Sequence, residues 1–289
     1  MKYSLIKSII LTIFIGVLLD SPTNAQSTSM NINYKLYDSL LGKAYGNDTL
    51  LDPWVGGFNR PQFGKIDLNH DGQDDLVVFD EADQSITTYI YTGGLGQAKY
   101  KRNPEFEKYF PPCAGFFKLV DYNCDGQKDI FTQVSNIGIT VYKNITPTTQ
   151  TKGVSFEKHT SFQDYYGNSV DYITTKAYNY RPNVFLTYGD VPVIADMDQD
   201  GDIDILSFSV LGPTVDYYRN MAIEDHGRCD TLDMFIQSQC WGRFQEGNSD
   251  NSIFLNQGDS TCDPKATRSG RHTGSTMLML DIDGNGKND

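Results

Sequence analysis

Apolar residues in this chain come as one long run near the start and many short runs afterwards. The long run, Ile9–Leu19, follows Lys2 and Lys7 and precedes a small-residue site ending at Ala25. A basic start, a short apolar stretch and a small-residue site form the layout of an export signal, and the run is too short to span a bilayer. A buried core helix is the alternative for this segment. On the export reading, residues 1–25 are a signal peptide and the mature chain begins near Gln26 with no transmembrane helix after it. No cysteine stands near the cleavage site to carry a lipid.

The short runs have strand length and strand composition. GKIDLN (64–69), FKLVDYN (117–123), VPVIADMD (191–198) and LMLDID (278–283) each lead into a polar stretch. After three of those stretches come LVVFD (76–80), IFTQV (130–134) and ILSFSV (205–210). A third set follows: ITTYIYTG (86–93), ITVYKN (139–144) and TVDYYRN (214–220). Runs of β-branched and aromatic residues bounded by turn residues predict strands. Each unit therefore reads strand, polar loop, strand, turn, strand, with room for one more strand before the next unit.

The polar loops are copies of one nonapeptide. DLNHDGQDD (67–75), DYNCDGQKD (121–129), DMDQDGDID (196–204) and DIDGNGKND (281–289) all obey D-x-[DN]-x-[DN]-G-x-x-D. Calcium takes six to eight oxygen ligands, and alternate side chains of a tight loop supply them, with a backbone carbonyl at position 7 and a glycine at position 6 for the sharp turn. The predicted ligands are Asp67, Asn69, Asp71, the Gln73 carbonyl and Asp75 in the first loop, then Asp121, Asn123, Asp125, the Gln127 carbonyl and Asp129 in the second. The third offers Asp196, Asp198, Asp200, the Asp202 carbonyl and Asp204; the fourth offers Asp281, Asp283, Asn285, the Lys287 carbonyl and Asp289. This makes up to four Ca2+ sites, the last incomplete because no strand follows Asp289 to hold it.

Three alternatives are weighed against calcium in an independent loop. Magnesium demands near-octahedral geometry and keeps its water, so a flexible all-protein cage suits it less. An EF-hand needs a bidentate Glu at position 12, where Val78, Thr132 and Ser207 stand instead. A plain Asp-Gly turn with solvated carboxylates explains any one loop. It explains four in the same strand context poorly, because the proposed ligand sets bring 13 carboxylates into close groups that repel without a cation.

The strand-flanked D-x-[DN]-x-DG-x-x-D loop followed by Leu or Ile resembles the FG-GAP repeat, also called the VCBS repeat, whose calcium loops are similar to those of integrin alpha chains. The resemblance covers about residues 55–289. Of the signatures that name the repeat, Phe63-Gly64 is the nearest survivor. It implies an all-β fold, a β-propeller of four-stranded antiparallel blades with calcium loops between strands, incomplete in this chain. Residues 26–54 then lead into the propeller, and DIDGNGKND reads as a break in the sequence rather than a designed end.

The first aspartates of the four loops stand 54, 75 and 85 residues apart, so the later units carry insertions, near 150–185 and 221–275. The first insertion holds Tyr165, Tyr166, Tyr172, Tyr178 and Tyr180. Tyrosines present an apolar face suited to sugar rings, but they also fill strand pairs. The second holds Cys229, Cys240 and Cys262 with Trp241, either a disulfide-stapled loop or a solvated insertion. Export permits disulfides. With five cysteines the expected pairing is Cys113 with Cys124 and two of the other three together, and the absence of a CxxC pair argues against zinc.

The net charge of −13 argues against nucleic acid and anionic membranes as partners, which need a basic footprint. That acidity comes from 31 Asp against 6 Glu, the bias of turns and metal loops rather than of helices. No HExxH, GxSxG or P-loop is present, and His70, His159, His226 and His272 form no recognisable pair. The resemblance implies a secreted or cell-surface scaffold that binds a protein or carbohydrate without catalysis. An alternative is the non-catalytic propeller module of a larger secreted polysaccharide-degrading enzyme.

Overall fold

The structure is a computed structural model that describes residues 42, 56–93, 99–134, 138–176, 181–210, 212–247, 250, 252–255, 276–279 and 282–283. The expected signal peptide, residues 1–25, lies outside the described residues, as do Tyr178, Tyr180, Cys262, Asp281, Asn285, Lys287 and Asp289.

The described part of the unit Gly56–Asp289 is all-β, built from three meander sheets in chain order. The first holds β1 (Pro61–Ile66), β2 (Asp75–Asp80), β3 (Ser85–Tyr91) and β4 (Tyr100–Arg102), every neighbour antiparallel. The second repeats it with β5 (Phe117–Val120), β6 (Asp129–Val134), β7 (Gly138–Asn144) and β8 (Phe156–Lys158).

The third sheet is approached through β9 (Phe162–Gln163) and β10 (Ser169–Val170), a small hairpin, and then β11 (Thr175–Lys176). The sheet proper is β12 (Val193–Ala195), β13 (Asp204–Phe208), β14 (Val215–Asn220) and, after a short helix α1 (Ala222–His226), β15 (Met234–Ser238). β11 adds parallel to its outer edge, and β16 (Gln245–Glu246) pairs with β17 (Ile253–Phe254) beyond it. Both insertions thus donate the fourth strand of a meander, β8 or β15, before they depart from the repeat.

The short apolar runs become intelligible from how the sheets stack. In β6, Ile130 points into a core shared with Val77 and Phe79 of the first sheet, and Phe131 into a core shared with Ile194 and Ile205 of the third. Both side chains are fully buried, each stabilising by roughly 2 kcal/mol on transfer from water. A strand covered on both faces carries adjacent apolar residues rather than strict alternation, as Ile130–Phe131 and Leu76–Phe79 do. β13 repeats the pattern: Ile205 faces the second sheet, while Leu206 faces the other way onto Val193, Phe208, Trp241 and Met277.

The first strands of the three sheets are neighbours, β5 lying beside both β1 and β12. At Gly64 the approach is close enough that a Cβ would come within 2.8 Å of Leu119 Cδ1. Gln62 in β1 reinforces it, accepting from Phe117 N at 2.8 Å and donating to Gly115 O at 3.2 Å.

The expected pairing of Cys113 with Cys124 does not occur. Cys124 is bonded to Cys229, 105 residues on, and Cys113 is a free, buried thiol. Cys113 sits in the core between the first two sheets, whereas Cys124 lies in the second polar loop and faces the third unit. Cys240 is also disulfide-bonded.

Candidate metal centres

Each polar loop joins the first and second strands of its sheet: β1 to β2, β5 to β6, β12 to β13. The three described loops share one backbone course. Position 4 is left-handed in all of them, φ 59° at His70, 57° at Cys124 and 65° at Gln199, and position 6 is a glycine at φ 83°, 83° and 103°. That second angle is one a side-chain-bearing residue rarely adopts, which is why Gly72, Gly126 and Gly201 occupy it.

Their hydrogen bonds repeat as well. The position-1 carboxylate accepts the position-6 amide: Gly72 N to Asp67 at 2.8 Å, Gly126 N to Asp121 at 2.9 Å, Gly201 N to Asp196 at 3.1 Å. The position-5 carboxylate accepts the position-7 amide: Gln73 N to Asp71 and Gln127 N to Asp125, both at 2.9 Å, and Asp202 N to Asp200 at 3.1 Å. In the first two loops the position-3 asparagine donates its side-chain N–H to position 5 at 3.0 Å, Asn69 to Asp71 and Asn123 to Asp125. Positions 1, 3 and 5 are thereby gathered on the inside of the turn.

Position 9 is different in kind. Asp75, Asp129 and Asp204 are 0% exposed. One oxygen of each accepts the position-2 amide, from Leu68 at 2.9 Å, Tyr122 at 3.2 Å and Met197 at 3.0 Å. The other reaches the end of the third strand and accepts from Tyr91 N or Asn144 N at 2.7 Å, or Asn220 N at 2.8 Å. This aspartate clasps three strands together, a structural role that its reading as a ligand omits. Burial pushes all three carboxyls up, Asp129 to about 7 and Asp204 to about 6.

The third loop carries more charge than the others, since position 3 is Asp198 rather than asparagine. Among the described residues, groups of three carboxylates close enough to share one metal ion occur only here: Asp196 with Asp198 and Asp204, and Asp198 with Asp200 and Glu224, one oxygen from each lying within 4.8 Å of the others. The buried Asp202 carboxylate accepts from Ile223 N at 3.0 Å through Oδ2, while its Oδ1 has no hydrogen-bond partner among the described residues. Burial pushes that carboxyl up to about 7.

Two residues of this centre went unforeseen. Arg219, in β14, places Nε 2.5 Å from Asp198 and Nη2 3.3 Å from Asp200, and pairs with Glu224 of α1. Arg219 precedes Asn220, whose amide meets the clasping Asp204, so its place in the repeat was the available signal; Glu224 lies in the insertion and had none. The donors in all three loops are oxygens only, from carboxylates and carboxamides, the chemistry of a hard cation.

Away from the loops, Tyr165 and Tyr166 form the tip of the β9–β10 hairpin, 60% and 83% exposed, their ring centroids 5.1 Å apart. Tyr172 is half-buried. Among the described residues no helix is long and apolar enough to cross a membrane. No protein-family model, curated protein or solved structure matches this chain.

Proposed function

We propose that this chain is an exported calcium-binding repeat protein of the FG-GAP/VCBS type, its three sheets being consecutive blades of a β-propeller. It acts as a non-catalytic binding or adhesion scaffold for a protein or carbohydrate at the cell surface. The observation that carries the reading is the threefold recurrence of one loop, with the same backbone angles and amide-to-carboxylate bonds at the same place in each sheet. The side-by-side first strands and the cores shared between consecutive sheets support the propeller, since blades pack in that manner around an axis.

In the first loop Asp67, Asn69 and Asp71 would hold the ion, in the second Asp121, Asn123 and Asp125, and in the third Asp196, Asp198 and Asp200. Calcium supplies positive charge that relieves repulsion among these groups and ties the turn to its sheet. The protein's own part is to keep the side chains converged and to anchor each loop through the buried aspartate at position 9. The exposed Tyr165–Tyr166 pair supports carbohydrate as the ligand, because a protruding aromatic tip suits a sugar ring.

The test is thermal unfolding of metal-free protein against a calcium series, with calorimetric titration alongside. At a Kd of about 1 mM, 10 mM calcium stabilises by about 1.4 kcal/mol per site, so occupied loops together raise Tm by several degrees. Magnesium at the same concentration should raise it less. A melting curve that calcium leaves unmoved, with no heat of binding, sinks the calcium reading.

A further inference from the structure

We propose that Arg219 is a built-in competitor for the cation at the third loop, so that this site binds calcium more weakly than the first two and only when the guanidinium moves away. The inference rests on the calcium reading above.

The side chains at positions 1, 3, 5 and 9 carry three carboxylates in the first and second loops and four in the third. The extra one, Asp198, is the group that Arg219 Nε meets at 2.5 Å, and the same guanidinium spans to Asp200 at 3.3 Å. Positions 3 and 5 are thus bridged by a cation in the third loop, where the first two use an Asn-to-Asp hydrogen bond. Among the described residues no ion pair reaches Asp67, Asp71, Asp121 or Asp125. The corresponding strand positions, those preceding the amide that meets the clasping aspartate, are Ile90 and Lys143.

A planar guanidinium and a metal ion cannot both occupy the space between Asp198 and Asp200. Glu224 gives the displaced group somewhere to go: it pairs with Arg219 from α1, outside the nonapeptide. The third loop therefore has two cationic states. In one, Arg219 bridges Asp198, Asp200 and Glu224; in the other, it keeps Glu224 alone and the two aspartates face the ion. Arg219 supports the loop without metal and lowers its affinity for metal, two effects of the same contacts.

The experiment is calorimetric calcium titration of the full chain as wild type, Arg219→Gln and Arg219→Lys. We expect one site to tighten roughly tenfold in Arg219→Gln, the effect of removing one like charge a few ångströms from a divalent ion in water-like screening, with the remaining sites unchanged. Arg219→Lys, which keeps the charge and loses the fork, should fall between. Without metal Arg219→Gln should melt below wild type, and 10 mM calcium should close the gap. Should the Gln variant fail to fold, the Arg219 Nε–H resonance of the wild type reports directly: it should shift at calcium concentrations above those that fill the first two loops. Unchanged binding constants in both variants, or an Arg219 signal that stays still while calcium saturates the chain, overturns the competitor. Absence of calcium binding in every form of the protein overturns the calcium reading and the competitor with it.

Discussion

Replacing Asp129 by alanine separates the two roles of the loop aspartates. The Asp129 carboxylate is fully buried and satisfies two backbone amides, Tyr122 N in the loop and Asn144 N at the end of β7. Alanine removes both acceptors and offers water no way in. Each orphaned buried amide costs about 1–3 kcal/mol, so the variant should lose roughly 2–6 kcal/mol in metal-free buffer. Asp125 is the contrast. It also accepts two bonds, from Asn123 Nδ2 at 3.0 Å and Gln127 N at 2.9 Å, but it is exposed and water can replace it. Asp125→Ala should cost under about 1 kcal/mol without metal.

Urea unfolding of metal-free protein followed by fluorescence measures both variants, and a second series in 10 mM calcium completes the comparison. The expected pattern crosses over: Asp129→Ala is destabilised in both series, whereas Asp125→Ala approaches wild type without metal and falls behind it when calcium is added. Equal losses for the two variants in metal-free buffer would refute the assignment of position 9 as clasp and position 5 as ligand. So would an Asp129→Ala variant that loses stability only relative to calcium-loaded wild type.

The remaining predictions concern protons and thiols. Asp129, Asp202 and Asp216 are pushed up to about 7 by burial and Asp204 to about 6, all above their unfolded value near 4, so the folded chain holds more protons between those limits. Metal-free protein should therefore melt higher at pH 5 than at pH 7.5, and saturating calcium, which competes with protons for the loops, should reverse that order; a metal-free Tm that climbs with pH through this window contradicts the burial argument. Cys124→Ser opens a crosslink spanning 105 residues and should cost about 2–5 kcal/mol, read by unfolding under non-reducing conditions. Peptide mapping should find Cys124 joined to Cys229, and Cys113, whose buried thiol is pushed up to about 12, should alkylate only after denaturation.

The strands and loops were legible because their rules are local. The third-strand runs read from sequence, 86–93, 139–144 and 214–220, meet the observed Ser85–Tyr91, Gly138–Asn144 and Val215–Asn220 within two residues at either end. The nonapeptide was equally legible, since a glycine at φ near 83° and acceptors at positions 1 and 5 are needed to close that turn whatever surrounds it. The clasp made by position 9 was not. An aspartate followed by an apolar strand reads as a fifth ligand in one dimension, and its further duty emerges only when the return of the third strand brings Tyr91, Asn144 or Asn220 to its second oxygen. Arg219 and Glu224 escaped for the same reason, lying 15 and 20 residues beyond the loop's last aspartate, with a strand reversal between.

Position 4 shows how a locally fixed loop acquires a long-range duty. Its left-handed backbone turns the side chain away from the ligand side, and in two loops that side chain reaches the following unit. His70 Nε2 lies 2.8 Å from Gly153 O, in the connection after β7, and Gly153 N returns a bond to Leu68 O at 2.8 Å. Cys124 makes the corresponding tie covalently, to Cys229 after β14. Gly153 stands nine residues beyond Asn144 and Cys229 nine beyond Asn220, so both ties end at the same place in the next unit. Position 4 lies between ligand positions 3 and 5, which means that any ion fixing those two also fixes the anchor between sheets. In the first two loops a bound cation would thus be coupled to the junction with the following unit, through a hydrogen bond at His70 and through a covalent bond at Cys124.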